Sequence, residues 1–90
     1  MAMTSAERRD LMARARELLA RNLIGKAGLT EAVMGQIRAA LAGGELLKLR
    51  LPKDRDEATQ LIRRIEAEGP CELVGRVGFT AVFRGITGAD

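Results

Sequence analysis

The spacing of apolar residues predicts a helix near the start of this chain. Thr4 and Glu7 are three residues apart, as in a capping box, where each side chain bonds the backbone of the other residue. We predict a helix over residues 4–20 with one apolar stripe at helical spacing. The stripe consists of Leu11, Ala15, Leu18 and Leu19.

Two further helices are predicted by the same period. The first follows Thr30, a residue type favoured at helix N-caps, and ends at Gly43-Gly44. The second follows Asp54 and ends at Gly69-Pro70. The predicted core positions are Val33, Ile37, Ala40 and Leu41 in the first, and Ala58, Leu61, Ile62 and Ile65 in the second.

Two segments before the last helix have the character of strands. Residues 45–51 alternate, which is typical of a strand with one buried face. Leu47, Leu49 and Leu51 share the apolar face, and Lys48 and Arg50 share the other. Residues 21–24 are short and end in two apolar residues, so we predict a small buried strand there.

The last part of the chain predicts a β-hairpin. Its strands are residues 71–77 and 79–84, with Gly78 between them. Phe79, Ala81 and Phe83 then share a face, and the favoured interpretation is that they anchor the core. The alternative is that an aromatic ring stacks on a nucleic-acid base.

The predicted order is α-β-α-β-α-β-β, which belongs to the α/β class. Strand–helix–strand units favour parallel neighbours, whereas a hairpin is antiparallel. We therefore expect a mixed four-stranded sheet packed with helices. Residues 1–90 should form a single domain, with a core over residues 4–84 and a frayed tail over 85–90.

Charge is unevenly distributed along the chain. The 90 residues include 15 Lys and Arg and 12 Asp and Glu, a net charge of +3. The first 50 residues carry nine basic and five acidic side chains, whereas the rest carry six and seven. A basic half indicates nucleic acid or an acidic partner.

The composition argues against catalysis, a bound metal or a membrane. The chain has no His, Tyr or Trp and a single cysteine, Cys71, so it lacks the usual zinc ligands and an internal disulfide. Ser5 and Cys71 have no base to activate them. No apolar run approaches the ~20 residues of a membrane span. We expect a cytoplasmic protein that is no enzyme and has no cofactor, membrane or small-molecule substrate.

The loop at residues 25–28, with the sequence GKAG, is the main candidate for chemistry. Glycines permit a sharp turn and leave room for a ligand to reach the backbone, while Lys26 adds a mobile positive charge. The helix that follows contributes unpaired N–H groups and a partial positive charge. These features favour a phosphate-binding site, although an ordinary strand–helix turn remains the alternative.

Four blocks of sequence together resemble the CRM domain, the chloroplast RNA splicing and ribosome maturation domain, in its single-domain bacterial YhbY-type form. They read IGKAGLTEAV at 24–33, GGELLKLRL at 43–51, DRDEATQLI at 54–62 and VGRVGFTAVFR at 74–84. The resemblance implies an RNA-binding α/β fold similar to the C-terminal domain of bacterial translation initiation factor three. It also implies an RNA partner, ribosomal RNA or the precursor of the large ribosomal subunit (pre-50S).

The resemblance also proposes site residues, and the sequence departs from the family pattern at several points. Matching positions give the GxxG loop and two basic residues of the alternating strand, and three arginines complete the candidate RNA contacts; Arg14 and Arg16 could instead only cover the core. The stretch before Gly78 is one residue longer than the family pattern, and Phe79 stands where a polar or basic residue is common. The candidates are Gly25, Lys26, Ala27, Gly28, Lys48, Arg50, Arg14, Arg16 and Arg21.

Two rival functions stay open. A protein-interaction module in a ribosome-associated complex would use the same basic surface without touching RNA. DNA binding is less favoured, because no recognition helix with base-reading side chains is evident.

Overall fold

Three helices and a three-stranded antiparallel sheet make up the part of the chain that the computed structural model describes, residues 3–69 and 71–86. The strands lie in the order β1-β3-β2. The elements are α1 (Ser5–Ala15), α2 (Glu31–Leu41), a 3₁₀ turn (Ala42–Gly44), β1 (Leu46–Arg50), α3 (Arg55–Glu68), β2 (Cys71–Val77) and β3 (Thr80–Gly85).

All three helices begin at the N-caps that the sequence predicts. The Thr4 hydroxyl accepts from the Glu7 N–H at 3.1 Å, and the Glu7 carboxylate accepts from the Thr4 N–H at 3.1 Å. The bond from the Thr4 backbone is the main reason that the pKa of Glu7 lies below its ordinary value of 4.5. Thr30 and Asp54 cap α2 and α3 through side-chain oxygens that accept backbone N–H bonds at 3.2 and 3.0 Å.

Helices cover both faces of the sheet. Helices α2 and α3 bury the larger core against one face, and α1 covers the other face with a smaller cluster. Met34 is fully buried in α2, although the sequence favoured its half-buried neighbour Val33. The largest fully buried side chains are Phe83, Met34, Ile37, Leu49, Ile65 and Val74.

Helix α1 is shorter than predicted. It ends at Ala15, and the next three backbone N–H groups bond three residues back instead of four, which tightens and closes the helix. The ammonium of Lys48 lies 3.4 Å from the Ala15 carbonyl oxygen, where a cation is favourable at a helix C-terminus. Leu18 and Leu19 therefore leave the predicted stripe and are 39% and 89% exposed.

The predicted strand at residues 21–24 is wrong, and with it the four-stranded sheet. Of residues 21–24, only Arg21 pairs with β1, in the parallel direction. Its N–H donates to the Lys48 carbonyl at 2.8 Å, and its carbonyl accepts from the Arg50 N–H at 2.9 Å. Leu23 and Ile24 then pack on the core and lead directly into the glycine turn. One bridging residue replaces the strand, so the described order is α-α-β-α-β-β.

The hairpin is confirmed, but Phe79 is not a core residue. Gly78 and Phe79 form a two-residue turn, with φ of +57° at Gly78 and no non-glycine residue at positive φ among those described. This is the pattern of a type II′ turn, with glycine first. Phe79 is 55% exposed, whereas Ala81 and Phe83 are buried as predicted.

A β-bulge accommodates the extra residue of β2. The seven residues of β2 pair with the six of β3, and the register shifts between Leu73 and Gly75. Val74 is the additional residue, and its fully buried side chain joins the α1 cluster. Gly85 belongs to β3 rather than to a frayed tail, while Pro70 and residues 87–90 lie outside the described part.

Side chains from two helices cover the outer edge of β2. The Arg8 guanidinium of α1 donates to the carbonyl oxygens of Leu73 and Val74 at 3.1 and 2.6 Å. The Glu66 carboxylate of α3 accepts from the Leu73 N–H at 3.0 Å. The N–H and carbonyl of Leu73 and the carbonyl of Val74 are therefore bonded within the molecule, although β2 is an edge strand.

Candidate nucleic-acid interface

Strand pairing brings three loops to one end of the sheet. Arg21 runs parallel to β1, so residues 25–28 follow at the end where β1 finishes. Arg50, the last residue of β1, pairs with Thr80, which places the hairpin turn at the same end. The segment 52–54, which joins β1 to α3, also starts there. We call the end of the sheet that carries residues 25–28, 52–54 and 78–79, together with the strand ends next to them, the loop end.

The GKAG turn presents bare backbone to solvent. Its N–H at Gly28 donates to the Gly25 carbonyl at 3.0 Å, and Gly28 has φ of +75°, which a residue with a Cβ rarely adopts. Gly25, Lys26 and Ala27 are exposed, and a Cβ at Gly25 would meet no neighbouring atom within 4 Å. A phosphate can therefore approach this backbone closely.

Four of the other predicted site residues lie on or beside the last part of β1. Lys48 and Arg16 line a hollow of about 340 Å³ between α1 and the sheet. Arg50 follows Lys48 on the same face by strand alternation and is exposed. Arg21 is exposed beside β1, to which its backbone is bonded. The half-buried Lys48 also bonds the end of α1, so part of its role is structural.

Arg14 is separated from the other candidates. It lines hollows beside the start of β1, at the opposite end of the sheet. The carboxylates of Glu7, Asp10, Glu17 and Glu45 line the same hollows. The role of Arg14 as an RNA contact stays a prediction. The carboxylates around it repel phosphate and argue against that role.

The structure adds a basic cleft that the sequence did not indicate. It lies between the hairpin turn and the start of α3 and has a volume of about 650 Å³. Its position depends on the pairing of Arg50 with Thr80, and no local pattern shows that pairing. The lining residues are Pro52, Lys53, Arg55, Thr59, Arg76, Gly78 and Phe79.

Charge separates along the sheet. The two hollows at the loop end are lined by five cations, and no carboxylate among the described residues lines either of them. Asp54, Asp56 and Glu57 lie in or before the first turn of α3 but do not line the cleft. A polyanion is therefore attracted to one end of the molecule.

The described residues contain no group of three or more His, Cys, Asp or Glu side chains placed to hold a metal ion. Over the same residues, none of the helices has the length and apolar character needed to span a bilayer.

Comparison with known proteins finds a matching family and matching solved structures. A model of the CRS1/YhbY (CRM) domain family matches residues 3–84. The solution structure of a hypothetical protein from Staphylococcus aureus, described as a candidate RNA-binding protein, superposes with a TM-score of 0.78 at 24% identity. The superposition covers 99% of this chain and 94% of that one, so the two share a fold. No curated protein matches this chain significantly.

Proposed function

The chain belongs to the CRS1/YhbY (CRM) domain family, which is an RNA-binding and not an enzymatic family, and on that premise we propose that it binds RNA at the loop end. The finer proposal is that this RNA is ribosomal and belongs to a precursor of the large subunit in the cytoplasm. The Staphylococcus aureus neighbour, described as a candidate RNA-binding protein, supports the first step.

The observation that carries the proposal is that an open glycine turn lies next to cations that form no ion pair with the described residues. Lys26 lies in the exposed turn, and Arg21 and Arg50 are exposed beside it along β1. None of these three forms an ion pair with a described residue. Their charges are therefore available to phosphate, and contacts of this kind hold an RNA without reading its sequence.

Binding through the backbone predicts a strong dependence on salt. Only Phe79 of the two aromatic side chains is exposed, so the protein has little with which to stack a series of bases. Each phosphate contact releases counterions, and affinity should fall steeply as salt rises. RNAs of the same shape and different sequence should bind about equally.

Lys26→Ala tests the loop. Removing one phosphate contact should weaken all RNAs similarly and reduce the slope of log affinity against log salt by about 0.7–0.9. Fluorescence anisotropy with a labelled ribosomal RNA fragment over a range of salt measures both. Arg63→Ala is the matched control, because Arg63 is an exposed cation on α3 and does not line the loop-end hollows.

Ala27→Asp is the stronger variant, because it places a carboxylate in the exposed turn and leaves Gly28 at its positive φ. If this variant binds RNA as well as the parent does, GKAG is only a turn. The exposed Leu18 and Leu19 then favour a protein partner, which would survive nuclease treatment in a pull-down.

Crosslinking in cells with sequencing of the bound RNA tests the finer proposal. Recovered fragments should come from the precursor of the large-subunit ribosomal RNA. Fragments spread over unrelated transcripts would refute it and leave RNA binding itself standing.

A further inference from the structure

Phe79 combines a large exposed ring with a basic surrounding, and backbone binding does not use it. The ring is 55% exposed at the tip of the hairpin and lines the cleft with Lys53, Arg55 and Arg76. A cleft with an aromatic wall and three cations suits a ligand that is both flat and negatively charged. Its volume of about 650 Å³ is within the roughly 300–1,000 Å³ of small-molecule sites.

The backbone holds Phe79 in place before any ligand arrives. The Phe79 carbonyl accepts from the Leu51 N–H at 2.7 Å, which ties the turn to the end of β1. Gly78 supplies the positive φ that this two-residue turn requires. The turn is therefore held by the pairing of β2 with β3 and by this bond to the end of β1, and little backbone freedom is lost when a base stacks on the ring.

Arg76 is also positioned in advance. Its guanidinium donates to the Thr59 hydroxyl at 3.1 Å, and that hydroxyl donates to the Arg55 carbonyl at 2.9 Å. A guanidinium has five N–H donors, so Arg76 keeps donors for a phosphate after this bond. Lys53 and Arg55 form no ion pair with any described residue.

We propose that this cleft takes one unpaired nucleotide of the bound RNA, with its base on the Phe79 ring and its phosphate against Lys53, Arg55 and Arg76. The inference rests on the proposed function and specifies its substrate class: an RNA with a bulged or single-stranded nucleotide, not an uninterrupted duplex. A base inside a duplex is already stacked and cannot reach the ring.

The test removes the base and the ring separately. One probe is an RNA hairpin with a single bulged adenosine, and the other is the same hairpin with an abasic nucleotide at the bulge, which keeps the charge. The parent protein should prefer the adenosine probe by about 5- to 150-fold, the equivalent of about 1–3 kcal/mol for one stacked base. Phe79→Ala should lose this preference and bind the abasic probe as the parent does, and Phe79→Tyr should keep the preference.

Ile86→Ala is the matched control, because Ile86 is an apolar residue directly after the same hairpin, 47% exposed, and lines neither of the two loop-end hollows. It should retain the preference for adenosine. Equal binding of both probes by the parent, or a preference that survives Phe79→Ala, overturns the inference and leaves RNA binding intact. If the parent binds neither probe at low salt, the proposed function fails as well.

Discussion

At the scale of single residues, Cys71 shows how burial fixes chemistry. The residue is 5% exposed, and its thiol lies 3.6 Å from the Ile65 carbonyl oxygen, to which it donates. Burial, and then the charges of Glu66 and Glu72, raise the pKa of the thiol to about 11 from the ordinary 9.0. The folded protein therefore keeps this cysteine protonated and unreactive at neutral pH.

This shift predicts a pH dependence of stability. The unfolded chain ionises its thiol near pH 9 and the folded chain only near 11, so the contribution is complete below 9 and is lost as pH rises towards 11. Denaturant melts at intervals between pH 8 and 11 should show this decline. Cys71→Ala should be less stable at pH 8 but should lack that part of the slope; identical slopes would contradict the assignment.

At the scale of elements, the space available for a side chain differs between two strand glycines, one next to α2 and one next to α1. A Cβ at Gly85 would overlap the backbone carbonyl of Leu41 at the end of α2, and backbone cannot easily move. A Cβ at Gly75 would meet the sulfur of Met12 at 2.7 Å, at the end of a flexible side chain that can turn aside. Gly85 therefore sets how closely α2 approaches the sheet.

Gly85→Ala should destabilise the fold strongly, by about 1–3 kcal/mol or more, because overpacking displaces the last turn of α2 or the end of β3. Gly75→Ala should cost less, since Met12 can change rotamer. Thermal melting of the two variants side by side compares them. Equal losses would show that the approach of α2 to the sheet is not limiting.

Element ends show where sequence patterns stop being informative. The N-caps depend on residues within three positions, and Thr4, Thr30 and Asp54 were all predicted. The end of α1 depends on Lys48, 33 residues away, and on backbone bonds that reach three residues back instead of four. Local sequence shows neither, and the apolar Leu18 and Leu19 therefore led to a predicted helix that is too long. Residues 21–24 were predicted as a strand, but only Arg21 forms a bridge. A single bridge leaves no periodic pattern that would distinguish it from a short strand.

At the scale of the whole molecule, the candidate site depends on pairing that joins distant parts of the chain. The GKAG loop could be found from its local sequence and the resemblance. The cleft around Phe79 could not, because its cations come from residues 53–55 and 76, and only the register of β1, β3 and β2 brings them together. The fold also places Arg14 and Arg50 at opposite ends of the sheet, which the local sequence does not show.

Arg14→Ala and Arg50→Ala should therefore differ, although each removes one exposed arginine. Arg50 lies at the loop end, whereas Arg14 shares its hollows with carboxylates at the other end. Arg50→Ala should lower RNA affinity and the salt slope, and Arg14→Ala should change both less. A filter-binding titration at two salt concentrations decides, and a larger effect of Arg14→Ala would place the RNA elsewhere.

The covered edge of β2 has a consequence for self-association. An edge strand with free N–H and carbonyl groups is a template on which a second chain can add a strand, and this is a common route to aggregation. Here Arg8 and Glu66 occupy the outward groups of Leu73, and the bulge at Val74 interrupts the regular spacing that a docking strand needs. A second copy of the chain therefore meets backbone groups that are already bonded at this point of the edge, so Arg8 and Glu66 oppose strand addition as well as tie α1 and α3 to the sheet.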